Sequence, residues 1–327
     1  AITGTKIWIT AGEHDMADNI IHLVLARLPE APAGTRGISL FLVPKFLVNE
    51  DGSLGDRNGV VCSSIEKKMG IKASATCEMT YSGARGFLVG EPNRGLAAMF
   101  TMMNAARLVT GIQGLGMAEA AYQAAVTFAR ERLQGRSLDG AKSPDKPADS
   151  ILVHPDVRRM LMISRAHIEG ARALGLYTGV QLETEQHHPD ESTRQKASYW
   201  VELMTPIIKA HFTDIGFDVA NLGMQVHGGA GYVTDTGVEQ FARDVRITQI
   251  YEGTNGIQAL DLVGRKLVAN NGENLKAFFE PVQAFLAEHA NDETVAEFVA
   301  PLAQAAQALQ EITGWVYQQM ASNPIEA

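Results

Sequence analysis

Cysteine is nearly missing from this sequence: Cys62 and Cys77 are the only two in 327 residues. Two are too few for a disulfide framework, and they point to a reducing compartment, so a cytoplasmic location is expected. Metal-ligand spacing is missing too, because His187-His188 and the other histidines have no paired Cys or His nearby, and no metal site is expected. Basic residues are in the minority, 28 Lys plus Arg against 37 Asp plus Glu, for a net charge of −9. That sign argues against nucleic acid, whose binding depends on neutralising phosphates, and against a polybasic membrane surface. Gly, Arg and Gln break the apolar runs before the ~20 residues that a bilayer requires, so no integral membrane segment is expected. The first ten residues carry neither Met nor a charged-apolar-small leader. They read as a strand already under way, and the chain is expected to begin inside a domain.

What is present is enough for a sizeable core. Hydrophobic residues make up 46% and charged residues 20%, which excludes a disordered chain. The length suits two domains of about 100–200 residues each. Residues 1–90 are strand-like. Thr3-Gly4-Thr5 reads as a turn before Lys6-Ile-Trp-Ile-Thr10, and β-branched or aromatic runs follow at 19–26, 37–43 and 78–81. Pro29–Gly37 and Asn49–Gly59 read as the turn clusters between them. A small antiparallel barrel or sandwich is expected. From Glu91 the periodicity turns helical. Residues 95–133 describe a helix buried on most sides, in which Gly111, Gly114 and Gly116 are expected to permit close backbone approach. Asp139–Ser150 reads as a loop. Further helices are expected at about 155–183, 192–224, 237–246, 255–270, 273–289 and 294–322. The chain stops without a terminal cap at Ile325–Ala327. The fold class is therefore α+β: a β domain over 1–90, a helical bundle over 91–270 and a helical extension over 271–327.

Several residues could carry chemistry, and each also has a plain structural reading. Arg107 sits in the most apolar helix, where an unpaired guanidinium would be prohibitively costly, so it must reach solvent or find an anion. Gln225-Val-His-Gly-Gly-Ala-Gly-Tyr232 packs three glycines into four positions, which suits either a capping turn or a ligand approaching backbone amides. Glu252 stands between helices in Ile250-Tyr-Glu-Gly-Thr254. There it is a solvated loop carboxylate or a base aimed into a cleft, and Thr254 is a good N-cap for the helix after it. The arginines of Ala129-Arg-Glu-Arg-Leu-Gln-Gly-Arg136 suit the C-terminal end of a helix dipole, or a phosphate. Trp8 fits a strand aromatic facing the core.

Seven stretches occurring together and in order resemble the acyl-CoA dehydrogenase family of flavoenzymes. They are Thr3-Gly-Thr-Lys-Ile-Trp-Ile-Thr10, Lys68-Met-Gly-Ile71, Gly90-Glu-Pro-Asn-Arg-Gly95, the Arg107 helix, Glu131-Arg-Leu-Gln-Gly-Arg136, Gln225–Tyr232 and Gln249-Ile-Tyr-Glu-Gly-Thr254. The resemblance covers nearly everything from residue 1 to 270. It implies a middle β domain and an antiparallel four-helix bundle, normally preceded by an all-helical domain that this chain lacks. The thioester would lie between bundle and β domain, against the flavin of FAD.

The resemblance also implies residue roles. Glu252 would remove the α-proton of an acyl-CoA while the β-hydrogen leaves as hydride, giving a trans-2-enoyl-CoA. Some members place the base just before the arginine that matches Arg107, but here that position is Ala106. Arg107 would stand at the catalytic end of the pocket, easing the ionisation of the nearby carboxylate, with Tyr251 and Gly253 against the substrate. Trp8 and Thr10 would lie against the isoalloxazine, and Thr254 near the FAD phosphates or ribose. Arg132, Gln134, Gln225, Gly228 and Gly229 would hold the pyrophosphate and adenine end, the 132–134 side chains reaching the FAD of a neighbouring subunit. A homodimer or dimer of dimers is therefore implied, with an electron-transfer flavoprotein as acceptor. The short Arg132–Arg136 motif, Asn255-Gly256 after Thr254, and the helical tail resemble the larger bacterial branch with an added C-terminal domain, to which 3-methylmercaptopropionyl-CoA dehydrogenase-like proteins belong. Two alternatives stay open: an acyl-CoA oxidase that uses O₂, and a catalytically silent oligomerisation module.

Overall fold

Alternating burial builds the first part of the chain. A computed structural model describes residues 1–323; the uncapped end expected at 325–327 lies outside the described residues. Eight strands form among the described residues: β1 (Ile2–Thr10), β2 (Ile21–Arg27), β3 (Ile38–Pro44), β4 (Phe46–Val48), β5 (Leu54–Arg57), β6 (Val60–Ile65), β7 (Thr76–Ala84) and β8 (Phe87–Val89). In β7 every second residue, Cys77, Met79 and Tyr81, points inward, as the two-residue period of a strand requires. These meet Val24, Phe41, Val43 and Val60 in one core. All pairings are antiparallel, in sheets ordered β1-β7-β6, β2-β3-β8 and β4-β5. Buried Asn58 secures the turn between β5 and β6. Its amide donates to the carbonyls of Pro44 and Arg85, each at 2.9 Å, and its Oδ1 accepts from the N–H of Gly59 and Arg85.

The strand runs at 19–26, 37–43 and 78–81 are β2, β3 and β7, but two local expectations fail. Thr3-Gly4-Thr5 is no turn: it lies within β1, where the register against β7 slips between Ile2 and Gly4, and Gly4 absorbs the irregularity at φ +143°. The Asn49–Gly59 cluster is not all loop either. It contains β5, whose single apolar residue, Leu54, leaves no alternation to read, yet which pairs Phe46↔Arg57 and Val48↔Leu54.

The chain divides into two compact units, Ala1–Ala106 and Arg107–Ala327. Seven helices follow the strands among the described residues: α1 (Gly95–Glu131), α2 (Pro155–His187), α3 (Glu191–His227), α4 (Glu239–Val245), α5 (Asn255–Asp261), α6 (Glu273–Glu288) and α7 (Ala296–Ser322). Pro155 opens α2 at a position where its missing N–H costs nothing, and Asp190 caps α3 by accepting from Thr193 N at 2.8 Å. The second unit's core gathers Leu115, Ile168, Trp200, Leu203, Met204, Ile208, Phe212, Ile215 and Val219.

Glycine decides how closely α1 meets α3. A Cβ at Gly114 would stand 2.6 Å from the Phe212 carbonyl oxygen, and one at Gly216 would stand 2.7 Å from that of Gly114. Gly111 is likewise pressed against Ile208, but Gly116 has open space around it, so the expected close approach does not extend to that residue. By length and a mean hydropathy of 1.2, α1 also meets the bilayer-crossing test that its interrupted runs were expected to fail. Its glycines instead meet a neighbouring helix backbone to backbone. The single helix expected over 255–270 is three pieces: α5, a π-type turn at Leu262–Lys266 and a 3₁₀ turn at Ala269–Gly272. Asn270 and Asn271 both take positive φ there, which Asn tolerates and a continuing helix does not.

Gly114→Ala should destabilise the protein by about 1–3 kcal/mol, because the obstacle is backbone rather than a side chain that can move. Gly116→Ala should stabilise it by up to about 1 kcal/mol. Denaturant midpoints of the two variants measure the contrast.

Candidate active site

Arg107 does find an anion. The residue is only 4% exposed, and its Nη1 lies 3.2 Å from Oδ2 of Asp261, itself 5% exposed, at the end of α5. The other Asp261 oxygen is 3.2 Å from Arg265. Arg107 Nε also donates, at 3.3 Å, to the main-chain carbonyl of Glu252. The Arg107 charge is thus paired with Asp261, and its hydrogen bond to Glu252 is made with the main-chain carbonyl.

Glu252 occupies an unusual backbone. Its φ is +58° and that of Gly253 is +85°. A non-glycine residue in the left-handed region costs of order 1–3 kcal/mol and persists only where its surroundings enforce it. Here they do: Gln258, 1% exposed, donates from Nε2 to the carbonyls of Glu252 (3.3 Å) and Gly253 (3.0 Å). A Cβ on Gly253 would stand 2.7 Å from that same nitrogen, so only glycine fits. Thr254 caps α5 as expected, its Oγ1 accepting from Ile257 N at 3.4 Å. The half-buried Tyr251 donates its hydroxyl to Gln113 Oε1 of α1, and burial is the main cause raising its phenol pKa. With the main chain held on both sides, the half-buried Glu252 carboxylate makes no hydrogen bond or ion pair among the described residues.

Beneath this loop lies a charge that sequence reasoning missed. Lys209 on α3 is 0% exposed, and its Nζ donates to Asn255 Oδ1 at 2.8 Å. Burial lowers its ammonium to about 8, with Asp214 and Glu252 opposing the shift and Arg107 adding to it. Asn255 passes the connection on to Asp214, whose Oδ1 also accepts from Gln249.

The remaining expected residues fall into separate places. Trp8 and Thr10 are exposed on β1, with Trp8 72% exposed at φ +61°, so the reading of Trp8 as a core aromatic is overturned within its own unit. Gln225 is exposed in the last turn of α3, and Gly228 closes that helix by donating to the Gln225 carbonyl. A Cβ on Gly228 or Gly229 would meet nothing within 4 Å, so their backbone is open to an approaching group. His227 turns inward instead, Nδ1 donating to the Gly223 carbonyl at 2.7 Å. Arg132 and Gln134 lie just past α1, Arg132 exposed. Arg136 is occupied otherwise: it donates to the carbonyls of Ser143 and Lys146 and pairs with Asp149 at 3.3 Å. Buried Asp149 also accepts from the backbone N–H of Ser137, Lys142 and Ser143. Burial works against its ionisation, but those donors and Arg136 outweigh it and hold the carboxyl at about 2.

In the second unit the open backbone at Gly228 and Gly229, exposed Gln225, and exposed Arg132 and Gln134 past α1 are amide and guanidinium donors of the kind that phosphates take, and in the first unit exposed Trp8 offers an aromatic face of the kind that a ring takes. Comparison with known proteins agrees. Residues 93–267 match the family model described as acyl-CoA dehydrogenase, C-terminal domain. The chain is 48% identical over 300 residues to 3-methylmercaptopropionyl-CoA dehydrogenase of Ruegeria pomeroyi, covering 92% of this chain and 50% of that one.

The chain belongs to the acyl-CoA dehydrogenase family.

It is also 39% identical over 292 residues to a broad-specificity linear acyl-CoA dehydrogenase of Mycobacterium tuberculosis, covering 87% of this chain and 48% of that one. Among solved structures, Caenorhabditis elegans ACDH-11, in complex with C11-CoA, shares the fold at TM-score 0.82 and 23% identity, over 98% of this chain and 50% of that one. The chain spans about half the length of the curated relatives it matches. Members of the acyl-CoA dehydrogenase family are FAD-dependent flavoproteins, and the residue types found here fit that group.

Asp261, Gln258, Lys209 and Asn255 escaped the sequence reading. Asp261 and Lys209 did carry a signal, since each is a lone charge in an apolar run, Ala259-Leu-Asp-Leu-Val263 and Pro206-Ile-Ile-Lys-Ala210. Asp261→Ala should cost about 3–5 kcal/mol in unfolding free energy, because it leaves Arg107 buried without its partner. Asp149→Ala should speed amide exchange at Ser137, Lys142 and Ser143 by about tenfold or more, since their N–H groups lose the acceptor that protects them. In the unchanged protein the stability due to Asp149 should be intact above the ordinary carboxylate range and lost as pH falls through about 2, as an acid titration followed by circular dichroism would show.

Proposed function

We propose that the full protein performs FAD-dependent α,β-dehydrogenation of an acyl-CoA thioester, giving a trans-2-enoyl-CoA, with Glu252 as the base. The observation that carries this reading is the division within the loop: a strained main chain clamped by Arg107 and Gln258, and a carboxylate committed to nothing. An α-proton next to a thioester is very weakly acidic. Its removal therefore needs a base already aimed, with no hydrogen bond to break before it acts. Glu252 takes up that proton. Gly253 and Tyr251 flank it and would border the substrate, the Tyr251 hydroxyl being turned toward Gln113 and away from the proton in transit. Arg107 acts here as a positioning group through the Glu252 carbonyl.

When bound, FAD supplies the acceptor for the hydride that leaves the β-carbon. Trp8 and Thr10 would hold its ring, Thr254 its ribose or phosphates, and Gln225, Gly228 and Gly229 its pyrophosphate and adenine end. Arg132 and Gln134 would do so for the FAD of a neighbouring subunit, which makes a homodimer or dimer of dimers part of the proposal. An electron-transfer flavoprotein is the proposed electron partner, and fatty acid metabolism the setting.

In the full-length, FAD-loaded protein, Glu252→Gln should still bind acyl-CoA but bleach the visible flavin band more slowly by a factor of about 10³ or more, the order expected when a positioned general base is removed. Turnover at the unchanged rate would eliminate Glu252 as the base. Peroxide released in air without added acceptor would assign the same chemistry to an oxidase.

A further inference from the structure

Lys209 is the one fully buried lysine among the described residues, and the mechanism above does not use it. Burying an ammonium is costly, and a methionine would fill the same space between Ile208 and Phe212 more cheaply. Its surroundings show what the charge holds. Lys209 Nζ donates to Asn255 Oδ1 at 2.8 Å. The Asn255 amide donates in turn to Asp214 Oδ1 at 2.8 Å, to Thr213 Oγ1 at 3.1 Å and to the Ala210 carbonyl at 3.2 Å. Asp214 Oδ1 also accepts from Gln249 Nε2 at 2.6 Å. Gln249 and Asn255 lie three residues before and three residues after Glu252. One network anchored on α3 therefore grips both flanks of the loop that carries the base, while Arg107 and Gln258 hold its middle.

The charged groups that face Lys209 are Asp214 on its own helix, Glu252 from the loop and Arg107 from α1, with Asp261 of α5 shared between Arg107 and Arg265.

We propose that Lys209 is a positioning residue for the base: it anchors Asn255 on α3, and Asp214, which binds both Asn255 and Gln249, completes one network that fixes the two ends of the Glu252 loop. This rests on the reading of Glu252 given above.

The test uses the full-length, FAD-loaded protein and butyryl-CoA as probe. Two variants are compared: Lys209→Met, and Lys209→Gln, which keeps a hydrogen-bonding end near Asn255. In both, kcat should fall about tenfold with KM little changed, as expected when the base is aimed less well while the thioester still binds. The visible FAD spectrum shows whether each variant is folded. If the Met variant loses flavin, the Gln variant decides. A flavin-loaded variant with an unchanged kcat, or one in which the loss lies in KM alone, overturns the proposal. Glu252→Gln, run in parallel, separates the two failures: if it is inactive the base stands and only Lys209 falls, and if it is active the reading of the base falls first.

Discussion

A guanidinium inside an apolar helix is the constraint from which the rest of the site derives. Arg107 is too deeply buried to be hydrated, so the fold must bring a carboxylate to it, and Asp261 at the end of α5 is that carboxylate. Placing Asp261 fixes where α5 ends. Fixing α5 brings Gln258, one turn earlier, under the segment that precedes the helix. Gln258 and Arg107 then donate to the carbonyls of Glu252 and Gly253. The left-handed backbone of the loop thus presents its carbonyls to donors on two buried side chains.

That arrangement separates two requirements that usually conflict in a catalytic residue. A base must be held still, yet its proton acceptor must stay unengaged. Hydrogen bonds to the carboxylate itself would fix it but also stabilise the ionised form against proton uptake. Clamping the main chain fixes the Cα and the direction of the side chain while leaving both oxygens available. The left-handed conformation of Glu252 is the strain that accompanies this solution, and Gly253 limits it to a single residue.

The fold class was legible from periodicity, because β7 alternates cleanly and the helices from α2 onward carry long apolar stripes. What periodicity could not show were elements without a buried face of their own, such as β5 with its one apolar residue, and the breaks beyond Asp261, a π-type turn at Leu262–Lys266 and then the left-handed Asn270 and Asn271. The site was legible in part. Arg107 and Glu252 were singled out separately, one by its cost and the other by its Gly-flanked setting, and the structure brings them together. Trp8, Gly228 and Gly229 differ in kind: their conformations and exposure are visible in the structure, but composition alone reads such residues as core or cap.

The buried charges explain why the remainder was missed. An apolar helix cannot hold a lone cation, and that constraint applies to Lys209 as much as to Arg107, since Lys209 lies between Ile208 and Phe212 and is the more deeply buried of the two. Each cation also requires an acid, so two buried cations call for at least two acids from elsewhere in the chain. Asp261 and Asp214 meet that demand. With both cations already matched, Glu252 is the carboxylate left over. A surplus acid beside two satisfied cations can gain and lose a proton without breaking any pair on which the fold depends, and that marks Glu252 out from the other carboxylates around it.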